Sequence, residues 1–358
     1  MNRVLFVIPS LYGGGAERVA SVMAGELANR EGFSVSILIF FPSAKEYAVD
    51  EKVKRIYLTE DREAYERSSR FERAIALRRA ISICNPDVVI PFLWYTGVYV
   101  VLSTFGMRMK IVQTVRNDPA SVPNNPIKRE VRNFACLLSW KVMCQTGSQR
   151  DYFSSWVKRK TAVIPNPVSQ GFIEKRVREG DVFEVTMAGR LEEQKNYEMA
   201  LDAASELKNR GVEFHFSIYG EGSLRKQISH AISDRALDGY VDLCGRTDNL
   251  ADKMAASNAF VLTSKREGMP NSLMEAMAVG LPCISTNCPT GPSDLIKDGE
   301  NGYLVAVDDV GCLVDRLEKL ARDRNLRRVL GDEAKKTVKR EFATNCVIDR
   351  LVKTLDVD

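Results

Sequence analysis

The chain has 358 residues, 45% hydrophobic and 8% aromatic, with a formal net charge of +4. That is enough apolar chain for two cored domains and excludes a disordered or low-complexity protein. Every long apolar run is broken by charge, Gly or Pro before the roughly 20 residues a membrane-spanning helix needs, so a soluble or peripheral protein is expected.

The net charge hides an asymmetry. Residues 1–168 hold 24 Lys and Arg against 15 Asp and Glu, a net of +9, whereas residues 169–358 hold 27 against 32, a net of −5. A basic first half suits an anionic partner, although interleaved Arg and Glu can also pair along a solvated helix. The eight cysteines (Cys84, Cys136, Cys144, Cys244, Cys283, Cys288, Cys312, Cys346) include no CxxC and read as buried thiols in a reducing compartment. Only two histidines are present, His215 and His230, and neither stands at ligand spacing from a cysteine, so no metal site is expected.

In chain order, RVLFVIP lacks a long apolar core and a small-residue cleavage site, and so reads as a first β-strand rather than a signal peptide. The glycines Gly13, Gly14 and Gly15 follow it, letting the backbone approach a phosphate or sugar at the start of a helix beginning near Ala16. Arg18 stands where GxGxxG needs its last glycine, which disfavours a dinucleotide fingerprint. VSILIFF, VKRIYL, DVVIPF, KIVQTV, WKVMCQT and TAVIP continue as strands, and REAYERSSRFERAIALRR reads as an Arg/Glu-rich helix. This βαβ rhythm is that of a parallel sheet covered by helices.

Pro165 to Asp181 is the best boundary, because the rhythm restarts beyond it with FEVTMAG, EFHFSIYG, YVDLCG, AFVLTS and LPCISTN. The expected architecture is α/β with two Rossmann-like domains, residues 1–165 and 166–340. An amphipathic segment, 341–358, is expected to pack back on the first. Open parallel sheets bind ligands beyond the carboxyl ends of their strands, which places the site in a cleft between the domains.

Two segments of the second half carry chemistry. In AGRLEEQKN, Gly189 allows a turn, while Arg190 and Lys195 bring cations to the end of a strand, Arg as a bidentate fork and Lys as a point charge. In SKREGMPNSLMEAMAVGLPCIST, Glu267 and Glu275 are eight residues apart around a strand-to-helix turn. The N–H groups of Asn271, Ser272 and Leu273 would face a diphosphate with the helix dipole behind them. The two carboxylates suit hydroxyls as partners, with Glu275 in the first helical turn; a capping box from Ser272 to Glu275 is the purely structural alternative. GEGSLR fails the dinucleotide pattern at Arg225.

Together GGGAER, IPNPV, AGRL with KN, YGEG and EGMPNSLMEAMAVGLPCIST resemble the retaining glycosyltransferase family 4, over nearly the full length. The resemblance implies the GT-B fold, with an acceptor-binding first domain and a second domain that binds a nucleotide sugar. It also implies Glu275 on the ribose, Glu267 facing the donor sugar, Arg190 and Lys195 on the diphosphate, Gly14 and Gly15 near the donor, and Arg246 at the base. Many relatives carry a histidine in the first domain where QTVRNDP offers Arg116, Asn117 and Asp118, candidates for contacting donor sugar or acceptor unless Asn117-Asp118-Pro119 is only a turn.

The lone DxD, Asp356-Val357-Asp358, stands at the tail, so fixed cations and helix amides rather than a metal are expected to stabilise the leaving group. The expected activity is sugar transfer from a UDP-sugar to a glycan or lipid-linked acceptor in surface polysaccharide synthesis, with the anomeric configuration retained as the resemblance implies. The expected setting is cytoplasmic and peripheral to the inner face of an anionic membrane, with no cofactor and no nucleic acid. A sugar-nucleotide epimerase and a non-catalytic sugar-binding protein are the competitors.

Overall fold

The computed structural model describes residues 2–178, 180 and 182–355; the Asp356-Val357-Asp358 motif lies outside the described residues. The chain forms two compact units, one running to Pro167 and taking in the segment from Thr344, the other Val168–Ala343.

The first unit contains a seven-stranded sheet of β1 (Asn2–Ile8), β2 (Phe33–Ile39), β3 (Lys54–Tyr57), β4 (Val88–Pro91), β5 (Lys110–Val115), β6 (Lys141–Cys144) and β7 (Thr161–Val163). Its order is β3-β2-β1-β4-β5-β6-β7, parallel throughout. The second unit has six parallel strands, β8 (Phe183–Ala188), β9 (Phe214–Tyr219), β10 (Val241–Gly245), β11 (Ala259–Leu262), β12 (Cys283–Thr286) and β13 (Tyr303–Val305), ordered β10-β9-β8-β11-β12-β13. Each is a doubly wound sheet whose first strand is interior, third from one edge.

A central parallel strand covered on both faces must be apolar on both faces. In β1 the residues Val4 to Ile8 are all buried. Val4, Phe6 and Ile8 pack with the helix Gly15–Ala28, while Leu5 and Val7 point the other way, toward Leu77 and Ile81 of the helix Arg70–Cys84. The short strand β13 extends the second sheet beyond the strands legible in the sequence.

The terminal helix Thr344–Leu355 belongs to the first unit: Val347, Ile348, Leu351 and Leu355 join the cluster that holds Phe6 and Met23. Lys141 Nζ also donates to the Thr354 carbonyl at 2.6 Å.

Two expectations are corrected. REAYERSSRFERAIALRR is not one helix but two, Arg62–Arg67 and Arg70–Cys84. Ser68 between them is extended, and Ser69 forms a capping box with Glu72, so the second helix starts afresh. The thiols are not uniformly buried either. All eight are free, but Cys244 is exposed because it lies on the edge strand β10, whose burial alternates, and Cys84, Cys312 and Cys346 are half-buried.

Leu351 is fully buried. Leu351→Ala should therefore lower stability by about 2–5 kcal/mol through lost contact and the cavity left behind, read as an earlier urea midpoint for the first unit.

Candidate functional site

In the second unit β8 and β11 are neighbours, yet the chain leaves β8 toward β9 and leaves β11 toward β12. Divergence of this kind opens a crevice at the carboxyl ends of the two strands. The loops bordering it are the ones the sequence singled out, Gly189–Asn196 after β8 and Thr263–Pro270 after β11.

These loops are stitched to each other by backbone and side-chain bonds. Lys265 N donates to Gln194 O at 2.9 Å, Gln194 Nε2 to Arg266 O at 2.8 Å, and Thr263 Oγ1 to Lys195 O at 2.9 Å. Asn196 adopts the left-handed conformation (φ 51°), turning the chain into the helix Tyr197–Asn209, and its amide holds Asp308 at 2.8 Å.

Across this seam Lys195 Nζ meets Glu267 Oε1 at 2.7 Å. The Ser264 hydroxyl donates to the same oxygen at 2.6 Å. Both ionic side chains are largely removed from solvent, 16% and 8% exposed. Packing holds the pair in place. The aliphatic stem of Lys195 runs over Gly189, where a Cβ would come within 2.8 Å of Cε. Thr290 donates its hydroxyl to the Glu267 carbonyl. Burial together with the Glu267 charge pushes the neighbouring Cys288 thiol up to about 12.

Arg190 stands apart from this pair. Its guanidinium is 63% exposed and lies 3.2 Å from Glu192, itself 39% exposed. Exposed pairs of this kind contribute about 0–1 kcal/mol, so Arg190 is only weakly held.

The YGEG segment packs against the loop after β8. Gly189 N donates to Tyr219 O, Leu191 N to Glu221 O and Gly220 N to Gly245 O. A Cβ at Gly220 would sit 1.8 Å from the Gly189 carbonyl oxygen, and Gly220 also has φ +148°. Arg246, exposed, follows Gly245 in the third loop of this row. His215 bridges Glu184 and Asp242 across the sheet at 3.1 and 3.2 Å.

The helix Asn271–Val279 begins after Pro270, which supplies no side-chain cap; its first intrahelical bond is Met274 N to Pro270 O at 3.2 Å. Glu275 is the fifth helical residue, just past the first turn in which it was expected, and is buried. The Ser272–Glu275 capping box is therefore not the arrangement adopted. Ser272 and Leu273 fall in the first turn, where N–H groups have no acceptor one turn earlier. Gly291 packs against this turn, where a Cβ would come 2.8 Å from Gly268 O.

Within the glycine run of the first unit the left-handed residue is Gly13, with φ +76°. Gly14 is the extended N-cap residue of the helix Gly15–Ala28. The Glu17 carboxylate folds back over it, so that a Cβ there would meet Oε2 at 1.9 Å. An acidic side chain in a first turn complements the helix dipole.

Arg116, just beyond β5, donates through Nη2 to Asn166 at 2.7 Å and lies over the Phe92 ring at 4.8 Å. Its Nε and Nη1 are buried with no hydrogen-bond partner among the described residues, and burial pulls the guanidinium down to about 9. Asp118 is buried and caps its own turn, accepting from Ala120 N at 3.0 Å, while the Asn117 carbonyl accepts from Gln149 Nε2 at 3.2 Å. Asp118 thus supports its own turn, and Asn117 is tied to the helix that follows β6.

Sequence reasoning passed over Ser264, Thr290 and Tyr197. Tyr197 donates to the Gly189 carbonyl at 3.3 Å. A lone hydroxyl carries no spacing signal, and none could have singled these residues out.

Comparison with known proteins identifies the family. Residues 170–337 match the family model of glycosyl transferases group 1, and residues 13–170 that of Glycosyltransferase Family 4. A curated relative from Campylobacter jejuni is 29% identical over 95% of this chain and 94% of its own. Its name is GalNAc-alpha-(1->4)-GalNAc-alpha-(1->3)-diNAcBac-PP-undecaprenol alpha-1,4-N-acetyl-D-galactosaminyltransferase. The amylovoran biosynthesis glycosyltransferase AmsD of Erwinia amylovora is 26% identical over 92% of each chain. Among solved structures, Anabaena Alr3699/HepE in complex with UDP and glucose superposes with a TM-score of 0.81 at 17% identity, covering 98% of each chain. Sucrose-phosphate synthase from Thermosynechococcus elongatus reaches 0.86 at 17% identity, covering 99% of this chain and 98% of that one. With its two matched models running from residue 13 to residue 337, the chain is a glycosyltransferase and belongs to the GT-B enzymes of the family 4 type.

Proposed function

We propose that the protein transfers a sugar from a UDP-sugar to a glycan or lipid-linked acceptor, with retention at the anomeric carbon and without a metal. The observation that carries the donor site is the convergence of Lys195 and Glu267 at the β8/β11 crevice, beside a helix start that has no side-chain cap. In this reading the diphosphate sits against the Ser272 and Leu273 amides, and Arg190 leaves its weak surface pair to grip it. Lys195 neutralises charge that develops as the bond to the leaving phosphate breaks. Both hydrogen bonds to Glu267 reach Oε1, which leaves Oε2 for a sugar hydroxyl. Glu275 takes the ribose and Arg246 the base. The acceptor oxygen bonds to the anomeric carbon on the face from which the diphosphate departs, and its proton passes to the departing phosphate oxygen.

UDP is supported by the UDP-bound fold neighbours, and a lipid-pyrophosphate-linked acceptor by the Campylobacter jejuni relative's name and by the basic first half. Arg116, a cation without a carboxylate partner among the described residues, suits an oxyanion of such a substrate. That setting places the protein at the cytoplasmic membrane face.

Glu275→Ala and Arg190→Ala should each lower turnover by about 10²–10³-fold, the scale of losing a positioned transition-state contact. Circular dichroism and thermal unfolding should show the fold intact, and EDTA should leave the wild-type rate unchanged. Near-normal turnover in either variant, or an EDTA-sensitive rate, would overturn the respective assignment. Conversion of the donor with no acceptor present would mark an epimerase instead, and absence of UDP binding in calorimetry a sugar-binding protein.

Lys195→Met should strand the buried Glu267 carboxylate and cost about 3 kcal/mol in urea denaturation. Adding Glu267→Gln to that variant should recover most of the stability while activity stays lost. Equal stability of the single and double variants would show that the ion pair is not coupled as its geometry requires.

A further inference from the structure

The helix Pro126–Leu138 is inside out. Ile127, Val131, Phe134 and Leu138 recur at i, i+4, i+7 and i+11, which is one continuous stripe of an α-helix. In a core helix that stripe faces inward. Here the four are 73%, 44%, 60% and 53% exposed, and the buried side carries Arg132, Ala135 and Cys136 instead. Arg132 anchors the helix from beneath, donating to Val122 O at 2.6 Å and Pro119 O at 2.9 Å.

The stripe has company. The helix Ser155–Arg159 packs beside it and exposes Trp156, with the Arg159 guanidinium 4.4 Å above the indole. On its other flank the helix Trp94–Ser103 exposes Leu102, with Phe105 just beyond its end, and the helix Arg70–Cys84 next to that exposes Phe71. All four cover one face of the first sheet: Val142 and Cys144 point into this layer, while Met143 between them joins the opposite core. Among the described residues, fourteen of the fifteen solvent-facing large hydrophobic side chains lie in the first unit, so the asymmetry belongs to that unit and not to the chain at large.

Charge identifies the occupant. Apart from Arg132, Asp118 and the Arg116 guanidinium, which are buried, residues 102–160 hold nine Lys and Arg against two Asp and Glu. A second copy docking through the same face would set this cationic field against itself, whereas anionic lipid headgroups complement it. An apolar stripe bordered by cations, with an indole at its rim, is the pattern of a helix lying in a bilayer interface.

We propose that this helical layer rests on an anionic lipid bilayer, the Ile127–Leu138 stripe entering the headgroup boundary and the surrounding Lys and Arg meeting lipid phosphates. It rests on the lipid-linked acceptor reading above and deepens it by naming the surface that brings the first unit to the membrane.

The full-length protein, sedimented with vesicles of phosphatidylcholine alone or with added phosphatidylglycerol, tests this. Binding should be at least tenfold stronger to the anionic vesicles and fall with added salt. Val131→Ser with Phe134→Ser, two exposed changes outside the donor site, should weaken vesicle binding at least tenfold and leave UDP affinity by calorimetry unchanged. Wild-type binding indifferent to phosphatidylglycerol, or a double variant that binds vesicles like wild type, would overturn the proposal. So would a wild-type dimer that the double variant converts to monomer without any vesicle binding by either. Vesicle binding that survives alongside a failure to bind UDP would sustain the surface and sink the donor assignment.

Discussion

The second unit's crevice depends on one buried contact, the Lys195–Glu267 ion pair at 2.7 Å. Taking two charges out of water costs more than their attraction returns unless geometry and extra hydrogen bonds make up the difference. The supporting parts are all local. Gly189 leaves room for the lysine stem, Ser264 donates a second hydrogen to the carboxylate, and Thr263 fixes the Lys195 backbone from across the seam. Gly220 in turn lets the loop after β9 press on Gly189, so the site's precision reaches back to a glycine with no contact to either charge.

The two cations of the loop after β8 differ in a way that suits the proposed donor site. Lys195 is committed to a largely buried partner, whereas Arg190 has an exposed partner and a long flexible stem. A fixed charge preorganises the field where negative charge will develop and needs no reorganisation when it does. A mobile fork can close on a diphosphate after it arrives, at the cost of side-chain entropy. Such a pairing of roles would not follow from an Arg and a Lys merely being five residues apart.

Much of this was legible in the sequence because it is local. The strand runs, the restart after residue 181 and the turn at Gly268-Met269-Pro270 each depend on a few adjacent residues, and the doubly wound sheets follow from them. What escaped depends on distant packing or on side-chain caps overriding a pattern. Ser68 ended one helical run and Ser69 began another, although the Arg/Glu spacing continued through them. Glu275 falls just past the first turn because the helix opens at Asn271, with Pro270 as its N-cap. Within the glycine run, the residue that needs a left-handed conformation is Gly13, while Gly14 accommodates the folded-back Glu17.

The helix Pro126–Leu138 exposes a weakness of periodicity itself. Apolar spacing tells that a helix has two faces, but which face turns inward is settled by what the inner face can satisfy. Here Arg132 finds two backbone carbonyls and two aromatic rings below the helix, at Val122, Pro119, Tyr152 and Phe153. With that anchor in place the apolar stripe is left for another solvent. An aqueous surface gains nothing from Phe134 or Ile127, so their exposure in a unit otherwise well cored is intelligible if part of that surface does not face water. The same unit carries the surplus positive charge, and an enzyme whose acceptor is tethered to lipid has reason to combine the two: cations draw it to the membrane from a distance, and the stripe holds it once there.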